Sequence, residues 1–230
     1  MLYVIATPIG NLEDVSARAL RLLKEVRAVY CEDTRRTRIL LSHFGISATL
    51  IRYQDRDERC VDGLLARLRA GEDVALASDS GTPVISDPGF RIVSRARAEG
   101  IPVCSVPGAC AVAAAVAGSG FPGDSFVFLG FLPRTASKQK RALAAAAALD
   151  KTIVVYESPF RVLDLLENAA QTLGPETPAA VCRELTKLHE EWLTGTVRGL
   201  REKLAARPEL LGEFVVLLRP APAPAPAPEP

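Results

Sequence analysis

Residues 78–89 read SDSGTPVISDPG, and two carboxylates, Asp79 and Asp87, stand in that one segment. The apolar run at 74–77 before it reads as a buried strand, and an amphipathic helix is expected after it. A strand that empties into a Gly/Pro/Ser/Asp loop and then a helix is where open α/β sheets bind ligands. Gly81 permits positive φ and close backbone approach, and Pro83 and Pro88 stiffen the loop. The expected chemistry is that of a pocket wall whose acids hold a ligand or move a proton. Asp79 can instead cap the following helix, although Asp87, directly before Pro88, is the better-placed cap.

Further polar residues sit at other strand ends. Glu32 and Asp33 follow a short apolar run and precede Arg35, Arg36 and Arg38. A solvated ion-pair cluster and a substrate site fit that composition equally, while an Arg-rich helix start at a crevice edge suits phosphate. Arg183, Glu184, Lys187 and Glu190 read as ordinary strand-end charges. Arg134, Lys138, Lys140 and Arg141 form a basic run at a helix start, a solvated face by default and a phosphate-backbone contact otherwise. His43 beside Phe44 reads as a surface or packing residue, and Trp192 as a packing residue. The chain has neither a G-x-G-x-x-G turn after its first strand nor a G-x-x-x-x-G-K-[ST] loop, which argues against a standard dinucleotide fold and a P-loop NTPase.

The elements that must position these residues follow from periodicity. Strands are expected at 2–6, 28–31, 50–53, 74–78 and 102–106. Between them, Asp14 or Ser16 caps a helix with Val15, Ala19, Leu22, Leu23 and Val26 on one face, and Thr34 caps the next. Further helices are expected at 57–70 and 88–99. This alternation implies a mostly parallel, doubly wound sheet with helices on both faces. In that topology the loops at 7–11, 31–36, 78–89 and 107–110 leave one edge and line one crevice. A small-residue helix follows at 111–117, and the Gly- and Pro-rich stretch 118–124 marks a domain boundary. The expected domains are 1–117 and 118–219. In the second, strands at 126–129, 152–156, 179–183, 191–196 and 213–218 alternate with three helices, and the closely spaced third and fourth strands suggest a hairpin in a mixed sheet. The Pro/Ala segment 220–230 is expected to be a solvated, polyproline-II-like tail.

At 230 residues and 48% apolar, the chain can bury one large core or two small ones. A net charge of +1 gives no global footprint for nucleic acid, so any polyanion site must be local. Cys31, Cys60, Cys104, Cys110 and Cys182 form no CxxC pair, and His43 and His189 are the only histidines, which argues against zinc. Cys31, Cys104 and Cys182 fall in expected strands and read as buried thiols in a reducing compartment. The chain enters a strand without a charged leader region, and no apolar run approaches the ~18 residues of a membrane span. A soluble cytoplasmic protein is expected.

The segments 6–14 (ATPIGNLED), 31–35 (CEDTR), 78–89, 106–108 (VPG), 156–159 (YESP) and 182–187 (CRELTK) resemble, in order, motifs of the tetrapyrrole methylase superfamily. Within it they resemble the bacterial small-subunit ribosomal RNA cytidine 2′-O-methyltransferases, and the resemblance runs from about Leu2 to Leu218. It implies two α/β domains, S-adenosylmethionine folded into the interdomain cleft, a homodimer, and no metal. By motif position the cofactor is expected at Pro8, Asp79, Thr82, Ala109, Cys110 and Tyr156, with Leu185, Gly212 and Glu213, and Gly81 shapes the same clamp. The implied substrate is a cytidine ribose of 16S ribosomal RNA near the decoding site of the assembled small subunit. Its 2′-hydroxyl must lose a proton, and Glu32, Asp33, Lys187 and Glu190 are the candidate acceptors; a charged lysine can instead stabilise the alkoxide. The RNA side is assigned to Arg35, Arg36, Arg38, Arg134, Arg161 and Arg183. Neither DNA nor a membrane is implied as a partner. A tetrapyrrole C-methyltransferase is the alternative within the superfamily, and a non-catalytic ribosome-assembly factor the alternative outside catalysis.

Overall fold

The computed structural model describes residues 1–220. The chain divides into two compact units, Met1–Cys110 and a second that begins at Ala111. The first contains β1 (Leu2–Ile5), α1 (Ala17–Glu25), β2 (Ala28–Cys31), α2 (Thr34–His43), β3 (Leu50–Arg52), α3 (Glu58–Arg69), β4 (Val74–Ala77), α4 (Phe90–Ala98) and β5 (Val103–Val106). Its strands are all parallel, in the order β3-β2-β4-β1-β5. Leu2, Val4, Tyr30 and Leu76 pack with Val61, Leu64, Leu65 and Ile92 of α3 and α4. Ile5, Val29, Ala75 and Ala77 pack with Ala19, Leu22, Leu23 and Leu41 of α1 and α2. The period-2 alternation thus feeds two cores, which is why these strands are apolar at nearly every position. The register pairs Ile5 with Ala77 and Val106, and Cys31 with Ala77. Four strands therefore end level, and their following loops leave one edge of the sheet.

Two caps differ from expectation. Asp33, not Thr34, caps α2, accepting from Arg35 N at 2.9 Å. Asp87 is not the N-cap of α4: the helix begins at Phe90 with Gly89 in that place. Gly89 has φ +134°, and a Cβ there would lie 2.7 Å from Leu76 Cδ2, so the turn into α4 is set by a glycine against the core. Ser16 caps α1, accepting from Ala19 N at 3.1 Å.

The second unit contains α5 (Ala111–Gly118), β6 (Phe126–Phe131), α6 (Ala136–Ala147), β7 (Thr152–Glu157), α7 (Val162–Leu173), β8 (Pro178–Arg183), β9 (Glu191–Thr196), α8 (Val197–Ala205) and β10 (Phe214–Leu218). The strand order is β6-β7-β10-β8-β9; β6 and β7 run parallel and every other pair is antiparallel. The expected hairpin is β8–β9. Leu143, Leu165, Leu166, Leu200 and Leu204 of α6, α7 and α8 cover Ile153, Val155, Val181, Val216 and Leu218 on one sheet face. α5 packs on β10, so the division falls at Cys110–Ala111, ahead of 117/118. Trp192 lies on the end of α5, where a Cβ at Gly118 would come within 2.4 Å of its ring. The Pro/Ala segment lies outside the described residues, apart from Pro220.

Among the described residues no helix is long and apolar enough to cross a membrane. The five cysteines are free thiols; Cys31 and Cys182 are buried, whereas Cys104, on edge strand β5, is only half-buried. Burial pushes the Cys31 thiol up and, with Glu190 nearby, the Cys182 thiol to about 12, which leaves neither as a nucleophile at neutral pH.

Candidate functional site

In the first unit the four edge loops are hydrogen-bonded to one another. Thr7 N donates to Gly81 O at 2.9 Å and Gly81 N to Thr7 O at 3.1 Å, while Thr7 Oγ1 donates to Ser78 O at 3.0 Å. Asp79 Oδ1 accepts from Asp33 N at 2.9 Å, joining the loop after β4 to the turn after β2. Thr82 Oγ1 donates to Ala109 O at 3.1 Å, joining it to the loop after β5. Gly81, at φ +87°, has Ile9 Cγ2 at 3.2 Å from where a Cβ would stand. Pro8 and Gly81 are buried, and Asp79, Thr82, Ala109 and Cys110 are half-buried. The edge thus brings together Pro8, Asp79, Gly81, Thr82 and Ala109, with Cys110 next in the chain. Ser78 Oγ is buried beside them without a hydrogen-bond partner.

Asp33, Arg35, Arg36 and Arg38 sit at the start of α2, and Glu32 just before it is exposed. Asp33 also accepts from Arg35 Nε at 3.0 Å and Nη2 at 2.7 Å. These bonds hold its carboxyl well below the usual carboxylate range. Arg35 is spent in the same pair, whereas Arg36 and Arg38 are exposed.

One residue that positions this edge has no local signal in the sequence. Asp55, just past β3, accepts from Tyr53 Oη at 2.6 Å and from Gly89 N at 3.0 and 3.1 Å. From beyond the end of another strand it places an anion at the N-terminus of α4, and it pins the far end of the 78–89 loop. Tyr53 is 1% exposed, so its hydroxyl depends on this acid. Asp55→Ala is expected to lower unfolding stability by about 2–4 kcal/mol, the cost of two orphaned donors. Tyr53→Phe should cost far less, and urea denaturation of both variants measures the difference.

In the second unit the charged residues after β8 and before β10 form one cluster. Lys187 Nζ donates to Glu184 Oε1 at 2.8 Å and to Glu213 Oε2 at 2.7 Å. Glu184 Oε1 also accepts from Glu213 N at 2.9 Å. Gly212, at φ +94°, leaves room for this: a Cβ would lie 2.5 Å from Glu184 Cγ. Glu184 and Thr186 themselves adopt positive φ, 52° and 66°, so the turn is strained. Partial burial works to lower the Lys187 pKa, but its two carboxylate partners outweigh that and hold it above the ordinary lysine value. Partial burial likewise works to raise Glu184, but Lys187 and the Glu213 amide bring it below the ordinary value. Glu190 accepts from Thr186 N at 2.5 Å and Trp192 Nε1 at 2.8 Å, so both its oxygens close the turn. Leu185 is buried within it. Tyr156 Oη accepts from Val112 N at 3.1 Å at the start of α5, and its ring meets Phe128 edge-on at 4.8 Å.

The sequence matches the Tetrapyrrole (Corrin/Porphyrin) Methylases over residues 1–201. The chain belongs to that family. Ribosomal RNA small subunit methyltransferase I of Hydrogenobaculum sp. (strain Y04AAS1) is 44% identical over 219 residues, covering 94% of this chain and 94% of that protein. The protein of the same name from Pseudomonas aeruginosa is 45% identical over 219 residues, covering 94% of this chain and 78% of its own. Among solved structures, diphthine synthase is similar with a TM-score of 0.72 at 16% identity, covering 94% of this chain and 88% of that one. Uroporphyrin-III C-methyltransferase from Thermus thermophilus complexed with S-adenyl homocysteine gives 0.65 at 20% identity, covering 94% and 96%. At these identities the structures speak for the fold alone.

In this tetrapyrrole methylase family member, several arginines with an expected RNA role have structural partners. Arg161 Nη2 donates to Leu132 O at 2.8 Å and Pro133 O at 3.2 Å, and lies 3.3 Å from Glu157 Oε2. Glu157 is 2% exposed, so Arg161 compensates a buried acid. Arg183 Nε donates to Leu211 O at 2.6 Å, tying β8 to the segment before β10. Arg134 is exposed at the turn into α6. Among the described residues no group of three or more His, Cys, Asp or Glu could hold a metal ion.

Proposed function

We propose that this chain transfers a methyl group from S-adenosylmethionine to the ribose 2′-hydroxyl of a cytidine in 16S ribosomal RNA of the small subunit. The near-full-length identity of 44% to a protein named ribosomal RNA small subunit methyltransferase I carries this reading. The homodimer and the cytoplasmic setting that the resemblance implies belong to the same proposal.

Pro8, Asp79, Gly81, Thr82, Ala109 and Cys110 of the first unit, with Tyr156, Leu185, Gly212 and Glu213 of the second, are proposed to hold the cofactor. The residues fit such a ligand. The edge loops offer a carboxylate for a cationic or hydroxylated group, glycines packed too closely for a side chain, and the orphaned Ser78 hydroxyl. When bound, S-adenosylmethionine supplies a methyl group already activated on a sulfonium. Orienting the reactants alone contributes about 7–11 kcal/mol to such a transfer.

The proton is left to the protein. Asp33 is held ionised by Arg35 and is a poor acceptor. Glu190 has both oxygens engaged, and Lys187 carries its charge between two carboxylates. Lys187 is therefore assigned to stabilise the developing alkoxide. Glu32, exposed and without a hydrogen-bond or ion-pair partner among the described residues, is assigned as the acceptor.

Incubating the protein with cofactor carrying a labelled methyl group tests the reading. Label is expected on small subunits lacking the modification, as 2′-O-methylcytidine after nuclease digestion. Label on a tetrapyrrole and none on RNA would sink it.

A further inference from the structure

Arginines elsewhere in the first unit are largely consumed by acids. Arg67 pairs with Glu72 at 3.2 Å, Arg69 with Glu99 at 2.6 Å, Arg95 with Asp62 at 2.8 Å, and Arg91 with Glu58. One corner of the sheet differs. Arg36 and Arg38 on α2, and Arg52 and Arg56 at and beyond the end of β3, are exposed, and their guanidinium groups have no ion-pair or hydrogen-bond partner among the described residues. The four are brought together by topology. Arg52 is in register with Cys31, the last residue before the turn into α2, and Tyr53 N donates to Cys31 O at 2.8 Å. α2 packs beside β3, burying Thr37, Leu40 and Leu41 and leaving its arginines outside.

The acids of this corner are turned to other work. Asp33 holds Arg35, and Asp55 holds Tyr53 and Gly89. Asp57 caps α3, accepting from Arg59 N and Cys60 N, and Glu58 takes Arg91 and Arg95. The exception is Glu32, the acid proposed to face the ribose. A chain of net charge +1 thus keeps unneutralised guanidinium groups at the corner that carries its proposed proton acceptor.

We infer that Arg36, Arg38, Arg52 and Arg56 form a phosphate-binding track that grips the RNA backbone beside the methylated nucleotide. The inference rests on the RNA reading above and adds Arg52 and Arg56, while Arg35, Arg161 and Arg183 leave the set. Guanidinium groups free of carboxylates suit bidentate contact with phosphodiesters. The track supplies local affinity without a basic protein, as the near-neutral charge requires.

The test uses unmethylated small subunits and an Arg52→Ala/Arg56→Ala double variant, with Arg27→Ala as control. Arg27 is exposed just before β2, at the opposite end of the strands. The double variant is expected to bind subunits about tenfold more weakly and to lower the slope of log K against log salt by about 1.5. Its KM for subunits should rise with kcat within twofold and cofactor affinity unchanged, while Arg52→Lys/Arg56→Lys should recover most of the salt slope. An Arg36→Ala/Arg38→Ala variant should behave alike. Unchanged KM and slope, or an equal loss in Arg27→Ala, would overturn the inference. Binding that survives removal of the RNA and still needs these arginines would overturn it in favour of an acidic protein surface. Wild-type protein that neither binds nor methylates subunits would instead overturn the RNA reading itself.

Discussion

Replacing Lys187 by methionine is expected to lower kcat by about 10²–10³-fold, the usual cost of removing one preorganised charge from a developing oxyanion. Cofactor affinity should stay within about threefold, and Lys187→Arg should recover part of the turnover. Lys187 Nζ sits between Glu184 and Glu213 at 2.8 and 2.7 Å, and these bonds keep the ammonium charged against the pull of partial burial. The folded pKa of Lys187 is raised above 10.5, so its pairing contributes stability fully below that pH and loses it as pH rises through the folded value. The folded pKa of Glu184 is lowered below 4.5, so its share is present above that pH and lost as pH falls through the folded value. The cluster is therefore intact from about pH 5 to 10. Over that window kcat should carry no rising limb from a neutral amine. A wild-type profile that climbs with pH and flattens in Lys187→Met would show that Lys187 is the base, and a variant within threefold of wild type would show that it is neither.

Asp79→Ala should weaken S-adenosylmethionine binding about 10–100-fold, the range for losing a charged hydrogen-bonding group from a site. It should also lower stability by about 1 kcal/mol, because Asp33 N loses its acceptor. Asp79→Asn separates the two effects. An amide oxygen still accepts from Asp33 N, so stability should return while affinity stays low. Titration calorimetry and thermal denaturation on the same three proteins read both quantities. If Asp79→Asn regained full affinity, Asp79 would be no more than a brace between the turns after β2 and β4.

The strands were legible because each is a short apolar run, as at 74–77, where every residue is buried. The common loop edge followed from alternation, since parallel strands joined by helices must release their loops on one side. What was not legible depends on burial or on partners distant in sequence. Asp87 beside Pro88 has a cap's local pattern, but the N-cap is Gly89, and its amide donates to Asp55, which arrives from beyond β3. Gly212 is expected at the cofactor from its motif position, and only the side chain of Glu184 shows why nothing larger fits there. Arg161 did carry a signal, an acid four residues earlier, but burial of Glu157 is what turns that spacing into a structural pair. α5 is small and apolar on all sides, so no face told which unit it would join.

The strand orders have a consequence for synthesis on the ribosome. β1 is made first, yet it sits between β4 and β5, whose partners for Leu2 are Val74 and Val103. β2 and β3 can pair early, but β1 must wait as an unpaired apolar segment until both neighbours have emerged. The second unit is the mirror case: β10, its last strand, fills the slot between β7 and β8. Until β10 arrives, β6–β7 and β8–β9 are separate ribbons, each with an edge open to another chain. Nascent chains arrested before β5 or before β10 are therefore the lengths at which chaperone capture should peak, and release of the finished β10 is the step that closes the second sheet.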